Sequence, residues 1–157
     1  MTSSTPPTAV VDLLTSLLEA ELNSVFRFMG EGSPYLSRAS AEVRRPLQEM
    51  VLAERRRAGE LADLIESLGT VPTPAGAIRR DEQYLAFLSL QFLLPKLVTE
   101  KKLHIERYEN ALVGLQRKEL PLVPSEVGEL VQSHLLELRH ELSSLENAAL
   151  QIATHRK

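Results

Sequence analysis

The sequence AERRRAGELADLIESLG, from Ala53 to Gly69, indicates the fold of this chain more clearly than any other stretch. On a helix, its apolar residues recur at three- and four-residue steps and therefore lie along one face. Two charged residues, Glu54 and Arg57, interrupt that face three positions apart. The stretch therefore predicts a helix that packs in a core and turns a charged pair toward the interior.

The composition indicates one ordinary globular domain. The chain has 157 residues, of which 43% are hydrophobic and 25% are charged, and this length suits a single domain with a sizeable core. We expect residues 1–8 to form a flexible N-terminal tail and residues 9–157 to form one helical bundle. The tail lacks the charged start of a signal peptide, so the cytoplasm is the expected location.

Charge and cysteine content argue against several classes of function. The formal net charge is -3 and the basic residues do not gather in one block, so nucleic acid is not expected as a partner. The chain has no cysteine, which excludes disulfides and thiol chemistry. No long uncharged apolar run is present, and we therefore predict no membrane span.

Hydrophobic periodicity predicts four helices and no strands. The predicted helices run from Val10 to Met29, from a start between Ser40 and Pro46 to Gly69, from near Asp81 to about Leu115, and from Ser125 to about Thr154. Gly69 is a predicted C-terminal cap and Ser125 a predicted N-cap. Pro95 is expected to kink the third helix or to restart it.

The connection around Val71 to Arg80 decides the predicted topology. About a dozen extended residues span ~40 Å at ~3.3 Å each, which is comparable to the length of the second helix. We therefore predict that helices 2 and 3 are parallel and joined by a long crossover, rather than paired as an antiparallel hairpin.

Helices 1 and 3 can be overlaid with Glu21 against Lys101, and helices 2 and 4 with Leu61 against Leu145. This pattern resembles the ferritin-like superfamily, which includes bacterioferritins and rubrerythrins. The resemblance implies an all-α, ferritin-like four-helix bundle with one long crossover. It also implies a di-iron site with one Glu from each odd helix and a Glu-x-x-His pair from each even helix.

The chain departs from that ligand pattern at two places. Glu21 and Glu54 match the ligand glutamates of the first two helices, but Arg57 stands in the histidine place of helix 2. In helix 3, Lys101 stands in the place of the ligand glutamate. Arginine cannot lose its proton and has no lone pair to give a metal.

The register of the fourth helix is ambiguous in the sequence. A literal Glu-x-x-His pair exists at Glu137 and His140, but the apolar stripe instead puts Leu138 and Glu141 in the ligand places. We favour the stripe, because burial determines helix rotation more firmly than one polar pair does.

Our main hypothesis is a degenerate di-iron site in which fixed side-chain cations replace the metal. The expected axial charge cluster comprises Glu21, Glu54, Arg57, Lys101 and Glu141, with Lys101 offsetting Glu21 or Glu54. Under this hypothesis the protein has no metal cofactor and no assigned catalytic residue, and its role is structural or binding.

Two other interpretations stay open at this point. The long stems of Arg57 and Lys101 could carry their charges to solvent. Alternatively, the chain is a ferroxidase or di-iron oxidase that binds iron. The metal ligands would then be Glu21, Glu54, His104, Glu137 and His140.

A partner surface is predicted at the start of helix 3. The segment from Leu85 to Leu94 is apolar on more than one face, which favours a homodimer. The sequence does not identify a small-molecule or protein partner, and His134 carries no specific signal.

Overall fold

A computed structural model of the chain describes residues 8–24, 41–72, 90–116 and 123–154. The described residues form four helices: α1 (Thr8–Leu22), α2 (Ala41–Ser67), α3 (Leu90–Leu115) and α4 (Ser125–Thr154). They contain no strand, in agreement with the all-α prediction. None of these helices combines the length and the apolar character that crossing a membrane requires.

The ends of α2 and α4 agree with the sequence analysis. The backbone of Gly69 has φ +90°, which favours glycine, and its N–H donates to the Glu66 carbonyl at 2.9 Å. This confirms the predicted C-terminal cap of α2. The predicted bounds of α4, Ser125 and Thr154, are those observed.

The predicted extension of α1 through Ser24 is wrong. The helix ends at Leu22, and its last turn is closed by the Asn23 N–H, which donates to the Glu19 carbonyl at 2.9 Å. Ser24 lies outside the helix, and its side chain hydrogen-bonds to Glu54 of α2. Serine and asparagine are also weak helix formers, so the sequence Asn23-Ser24 is a suitable place for the helix to end.

Helix α3 continues through Pro95 and does not restart there. Several predictions fall on parts of the chain outside the described residues. These are the tail up to residue 7, the end of helix 1 from residue 25 to 29, the cap at Ser40, the crossover from residue 73 to 80, and the start of helix 3 from residue 81 to 89.

Two apolar clusters establish how the helices are directed. One joins the N-terminal parts of α1 and α4 to the C-terminal parts of α2 and α3, and it includes Val10, Leu61, Tyr108 and Val131. The other joins the N-terminal parts of α2 and α3 to the C-terminal part of α4, and it includes Leu47, Leu93 and Leu145. Helices α2 and α3 are therefore parallel, as predicted, and the chain between them connects opposite ends of the bundle.

Between the two apolar clusters lies a layer of buried polar side chains. Each helix contributes to it at the position where its apolar stripe is interrupted. The members are Glu21 from α1, Glu54 and Arg57 from α2, Lys101 and His104 from α3, and Glu141 from α4. The fold thus places a polar layer across the middle of the bundle.

Candidate functional site

Arg57 is the centre of the polar layer. Its side chain is fully buried, so the charge is not carried to solvent. Its Nε donates to Glu21 Oε1 at 2.9 Å, and its two terminal nitrogens donate to the two oxygens of Glu141 at 2.6 and 3.2 Å. This fork onto Glu141 is the strong bidentate geometry of an arginine–carboxylate pair. Arg57 therefore links α1, α2 and α4 through charge-assisted hydrogen bonds.

Lys101 supplies the second buried cation, and its side chain is only 1% exposed. Its Nζ donates to Glu141 Oε1 at 2.6 Å. Burial alone would raise the pKa of Glu141, but the charge of Lys101 and the hydrogen bond from Arg57 outweigh burial and lower it. The sequence analysis did not pair Lys101 with Glu141. The charge of Lys101 also acts to lower the pKa of Glu54, but burial and the charge of Glu21 raise that pKa by more.

Glu21 is held in its ionised form. Burial would raise its pKa, but His104, Arg57 and the Tyr108 hydroxyl together lower it to about 2. The Tyr108 hydroxyl donates to Glu21 Oε1 at 2.8 Å, and His104 Nε2 lies 3.3 Å from the same oxygen. One carboxylate oxygen thus faces three donor-bearing side chains, whereas Glu21 Oε2 has no hydrogen-bond partner among the described residues.

Glu54 has the opposite electrostatic environment. Burial and the negative charge of Glu21 raise its pKa to about 8, although Ser24, Lys101 and Arg57 act in the other direction. Its Oε2 is buried and has no hydrogen-bond partner in the described parts of the chain. Glu54 is therefore the carboxyl group of the layer that its neighbours compensate least.

A hydrogen-bonded chain leads from Glu21 to the surface. The Tyr108 hydroxyl lies 3.3 Å from His134 Nδ1, and His134 Nε2 lies 3.0 Å from Glu60 Oε1. The Glu60 side chain is 40% exposed, while His134 is buried. Burial lowers the pKa of His134. The contacts with Glu60 and Glu21 act to raise it, but they only partly offset the effect of burial. These contacts connect the buried carboxylate to the surface. A neutral His134 donates through only one ring nitrogen, so it donates to either Tyr108 or Glu60, and to both only when it is protonated.

The sequence analysis missed the role of His134. A signal was present, because His134 lies three residues after Val131 and four before Leu138, both of which are fully buried. Residues at these spacings share one helix face. The spacing could therefore have placed His134 inside the bundle, but its partner could not be predicted from spacing alone.

The five residues of the predicted axial cluster lie together in the layer, whereas the alternative metal ligands do not. Leu138 and Glu141 are buried on α4, and His140 is exposed. Glu137 is partly exposed and pairs with Arg56, as well as with Arg57 at 3.3 Å. The apolar stripe, rather than the literal Glu-x-x-His pair, thus faces the bundle interior.

The residues present do not fit a di-iron centre. Guanidinium and ammonium groups, which have no lone pair to give, bond directly to the carboxylates that a metal would need. In the described parts of the chain, no three His, Asp or Glu side chains are grouped so that they could hold a metal ion. The donor set is that of an ion-pair network.

The raised pKa of Glu54 predicts that the free energy of unfolding depends on pH. Its pKa is about 8 in the folded protein and 4.5 ordinarily. The folded chain therefore binds more protons than the unfolded chain between these values, and stability falls as pH rises toward and through 8. We expect a loss on the order of 2 kcal/mol in unfolding free energy between pH 6 and 9. Denaturant unfolding of the wild type and of Glu54→Gln measures it.

In Glu54→Gln the unfolding free energy should not decline between pH 6 and 9, and the variant should be more stable than the wild type at pH 9. Glu21 and Glu141 act in the other direction, because their lowered pKa values remove stability as pH falls below about 4.5. The lowered pKa of His134 makes stability depend on pH only below its ordinary value of 6.5, so His134 does not cause a decline in stability at alkaline pH. An equal decline in Glu54→Gln would show that another group is responsible.

Comparison with known proteins supports the fold. No family model matches the chain, and no curated protein matches it in sequence. The bacterioferritin of Desulfovibrio desulfuricans, whose structure describes a di-iron site, superposes with a TM-score of 0.71 at 18% identity. That match covers 94% of this chain and 81% of the bacterioferritin.

A mutant of Dps1 from Mycobacterium smegmatis also has a similar structure. It superposes with a TM-score of 0.69 at 17% identity, and the match covers 90% of this chain and 95% of Dps1. Sequence identities this low establish the fold but no shared activity. The chain has the ferritin-like four-helix fold that the sequence analysis predicted.

Proposed function

We propose that this ferritin-like protein has lost the di-iron centre and serves a structural or binding role. In this proposal Arg57 and Lys101 supply the positive charge that metal ions would otherwise bring to the carboxylates of the bundle axis. The protein then neither stores nor oxidises iron at this position. Its axis is stabilised by side chains that are always present, whatever the supply of metal.

The observation that carries the proposal is the bonding of the two buried cations. Arg57 bridges Glu21 and Glu141, and Lys101 bonds to Glu141 at 2.6 Å. Burying an unpaired carboxylate costs several kcal/mol, so each cation offsets a large penalty. A metal ion entering the layer would have to displace these hydrogen bonds and would be repelled by two fixed positive charges.

One observation favours the rival function, an iron-binding oxidase. Two buried carboxylate oxygens, Glu21 Oε2 and Glu54 Oε2, have no hydrogen-bond partner within the described ranges, and the imidazole of His104 lies beside them, with its Nε2 3.3 Å from Glu21 Oε1. These are donor types that iron accepts. The same layer contains Arg57 and Lys101, however. Of the other two proposed ligands, His140 is exposed, and Glu137 is partly exposed and pairs with Arg56 and Arg57. We therefore favour the interpretation in which the layer binds no metal.

Metal analysis of the purified protein distinguishes the two functions. We expect iron, manganese and zinc each well below one ion per chain, also after incubation with ferrous iron under argon followed by desalting. The measurement is elemental analysis by mass spectrometry against protein concentration. About two ions per chain, lost in Glu21→Gln and in Glu54→Gln but kept in the surface control Glu66→Gln, would establish the rival.

We also propose that the protein is a homodimer. The part of the predicted contact surface that the structure describes is mixed, with Phe92 57% exposed and Leu93 and Leu94 buried. Phe92 and Leu103 lie eleven residues apart on the same face of α3, and Leu103 is 49% exposed. Light scattering of the sample used for metal analysis tests the proposed homodimer. A monomer at every protein concentration would refute it.

A further inference from the structure

His134 is a buried histidine whose two ring nitrogens face different helices. Nε2 lies 3.0 Å from Glu60 Oε1 of α2, and Nδ1 lies 3.3 Å from the Tyr108 hydroxyl of α3. The His134 side chain is 1% exposed, whereas that of Glu60 is 40% exposed and also accepts from Arg56 at 2.7 Å. A group that can take up a proton inside the core is thus in contact with a carboxylate at the surface.

The hydrogen atoms at these two contacts do not satisfy both of them when His134 is neutral. The Tyr108 hydroxyl has one proton, and its nearer acceptor is Glu21 Oε1 at 2.8 Å. The Tyr108 oxygen is therefore left to accept a hydrogen bond from His134, as the Glu60 carboxylate also is. A neutral imidazole has one N–H for these two acceptors, whereas an imidazolium has two.

Glu60 is the better acceptor for the single N–H of neutral His134. Its oxygen lies closer to the ring than the Tyr108 oxygen does, and a hydrogen bond to a charged group is stronger than one between neutral groups. We therefore expect the proton of the neutral form on Nε2. This tautomer leaves the Nδ1 lone pair opposite the Tyr108 oxygen without a hydrogen atom between them.

We propose that His134 is a proton switch between α2 and α3. In its neutral form it donates from Nε2 to Glu60 alone. When it takes up a proton at Nδ1, it donates to Glu60 and to Tyr108 at the same time, and α4 is then hydrogen-bonded to both helices. Proton uptake thereby also acts on the Tyr108 hydroxyl, which in turn bonds to Glu21 in the polar layer.

The surroundings of His134 determine the pH range of the switch. The charged and titratable groups near it are Glu21 of α1, Arg57 and Glu60 of α2, Tyr108 of α3 with His104 packed against the Tyr108 ring, and Glu137 one turn further along α4. Burial and the charge of Arg57 lower the pKa of His134 by more than Glu60 and Glu21 raise it. The switch therefore operates below the ordinary pKa of 6.5. In that range the folded chain binds fewer protons than the unfolded chain, so the unfolding free energy falls as pH falls.

The test is nuclear magnetic resonance of the full chain, labelled with an isotope of nitrogen. Long-range spectra of the imidazole distinguish a ring nitrogen that carries a proton from one that does not, and the His134 ring is assigned through its own backbone. Near neutral pH we expect a proton on Nε2 of His134 and none on Nδ1. On acidification Nδ1 should gain a proton with a midpoint below 6.5, while the bundle stays folded.

The variant Glu60→Ala identifies the group that sets the tautomer. With the carboxylate removed, Tyr108 is the remaining acceptor, so the dominant neutral form should change from Nε2–H to Nδ1–H. The pKa of His134 should fall further, because Glu60 acts to raise it. The Glu60 side chain is partly exposed, and the variant should therefore fold. Glu66→Ala, the same change at an exposed residue of the same helix, should alter neither the tautomer nor the pKa.

Three results would overturn the inference. One is a neutral wild-type His134 with its proton on Nδ1, and another is a Glu60→Ala variant that keeps the proton on Nε2. The third is a chain that unfolds before His134 takes up its second proton. None of these results bears on the proposed loss of the metal centre, which the elemental analysis tests separately.

Discussion

Replacing Lys101 by methionine is expected to lower the unfolding free energy by roughly 3–5 kcal/mol, a large share of the ~5–15 kcal/mol typical of a domain. The side chain is 1% exposed and donates to Glu141 at 2.6 Å, so its removal leaves a buried carboxylate with one cation fewer. Denaturant unfolding followed by circular dichroism measures the effect.

The double change Lys101→Met with Glu141→Leu should cost less than the sum of the two single changes. Glu141→Leu alone removes an acceptor from two buried cations, because Lys101 and both terminal nitrogens of Arg57 donate to Glu141. In the double variant Lys101 is absent as well, and Arg57 keeps its 2.9 Å bond to Glu21. We therefore expect strong coupling between the two positions, with the double variant more stable than Glu141→Leu alone.

The chain offers a matched control for this cycle. Arg139 and Glu109 form an ion pair at 3.1 Å whose side chains are 48% and 49% exposed. Arg139→Met and Glu109→Leu should each change stability by less than about 1 kcal/mol and should be nearly additive. If the Lys101 and Glu141 variants behaved in the same small and additive way, the buried network would have no structural role.

Restoring the ligand pattern of the ferritin-like fold should allow the bundle to bind metal in the polar layer. Arg57→His combined with Lys101→Glu removes both buried cations and completes a Glu-x-x-His pair with Glu54. Without metal, we expect this variant to be strongly destabilised, because the buried carboxylates then repel each other. Ferrous iron or zinc should raise its melting temperature, since a ligand that binds only the folded state stabilises it.

Thermal unfolding with and without metal checks this prediction. The wild type should show no metal-dependent shift. Arg57→His with Lys101→Met is the control, because it also removes both cations but adds no carboxylate, and we expect a much smaller shift. A combined variant that folds yet gains no stability from either metal would show that the layer has lost the geometry of the site as well as its ligands.

The sequence alone determined that the chain forms four helices and which side of each helix faces the interior. Both depend on local periodicity, which is set by 3.6 residues per turn and by which residues are apolar. Glu21, Glu54, Arg57, Lys101 and Glu141 interrupt apolar stripes, and all five are buried. The parallel direction of α2 and α3 also followed from the sequence, because the connection was long enough to cross the bundle.

Only the tertiary structure decided which of these groups bond to one another. Hydrogen-bond partners depend on the rotation and axial shift of each helix relative to its neighbours, and these are not local properties of the sequence. The fork of Arg57 onto Glu141, the bond from Lys101 to the same carboxylate, and the chain through Tyr108 and His134 all join different helices. Differences of about 1 Å decide whether such bonds form. For the same reason, the buried and poorly compensated carboxyl of Glu54 could be identified only once the helices were packed together.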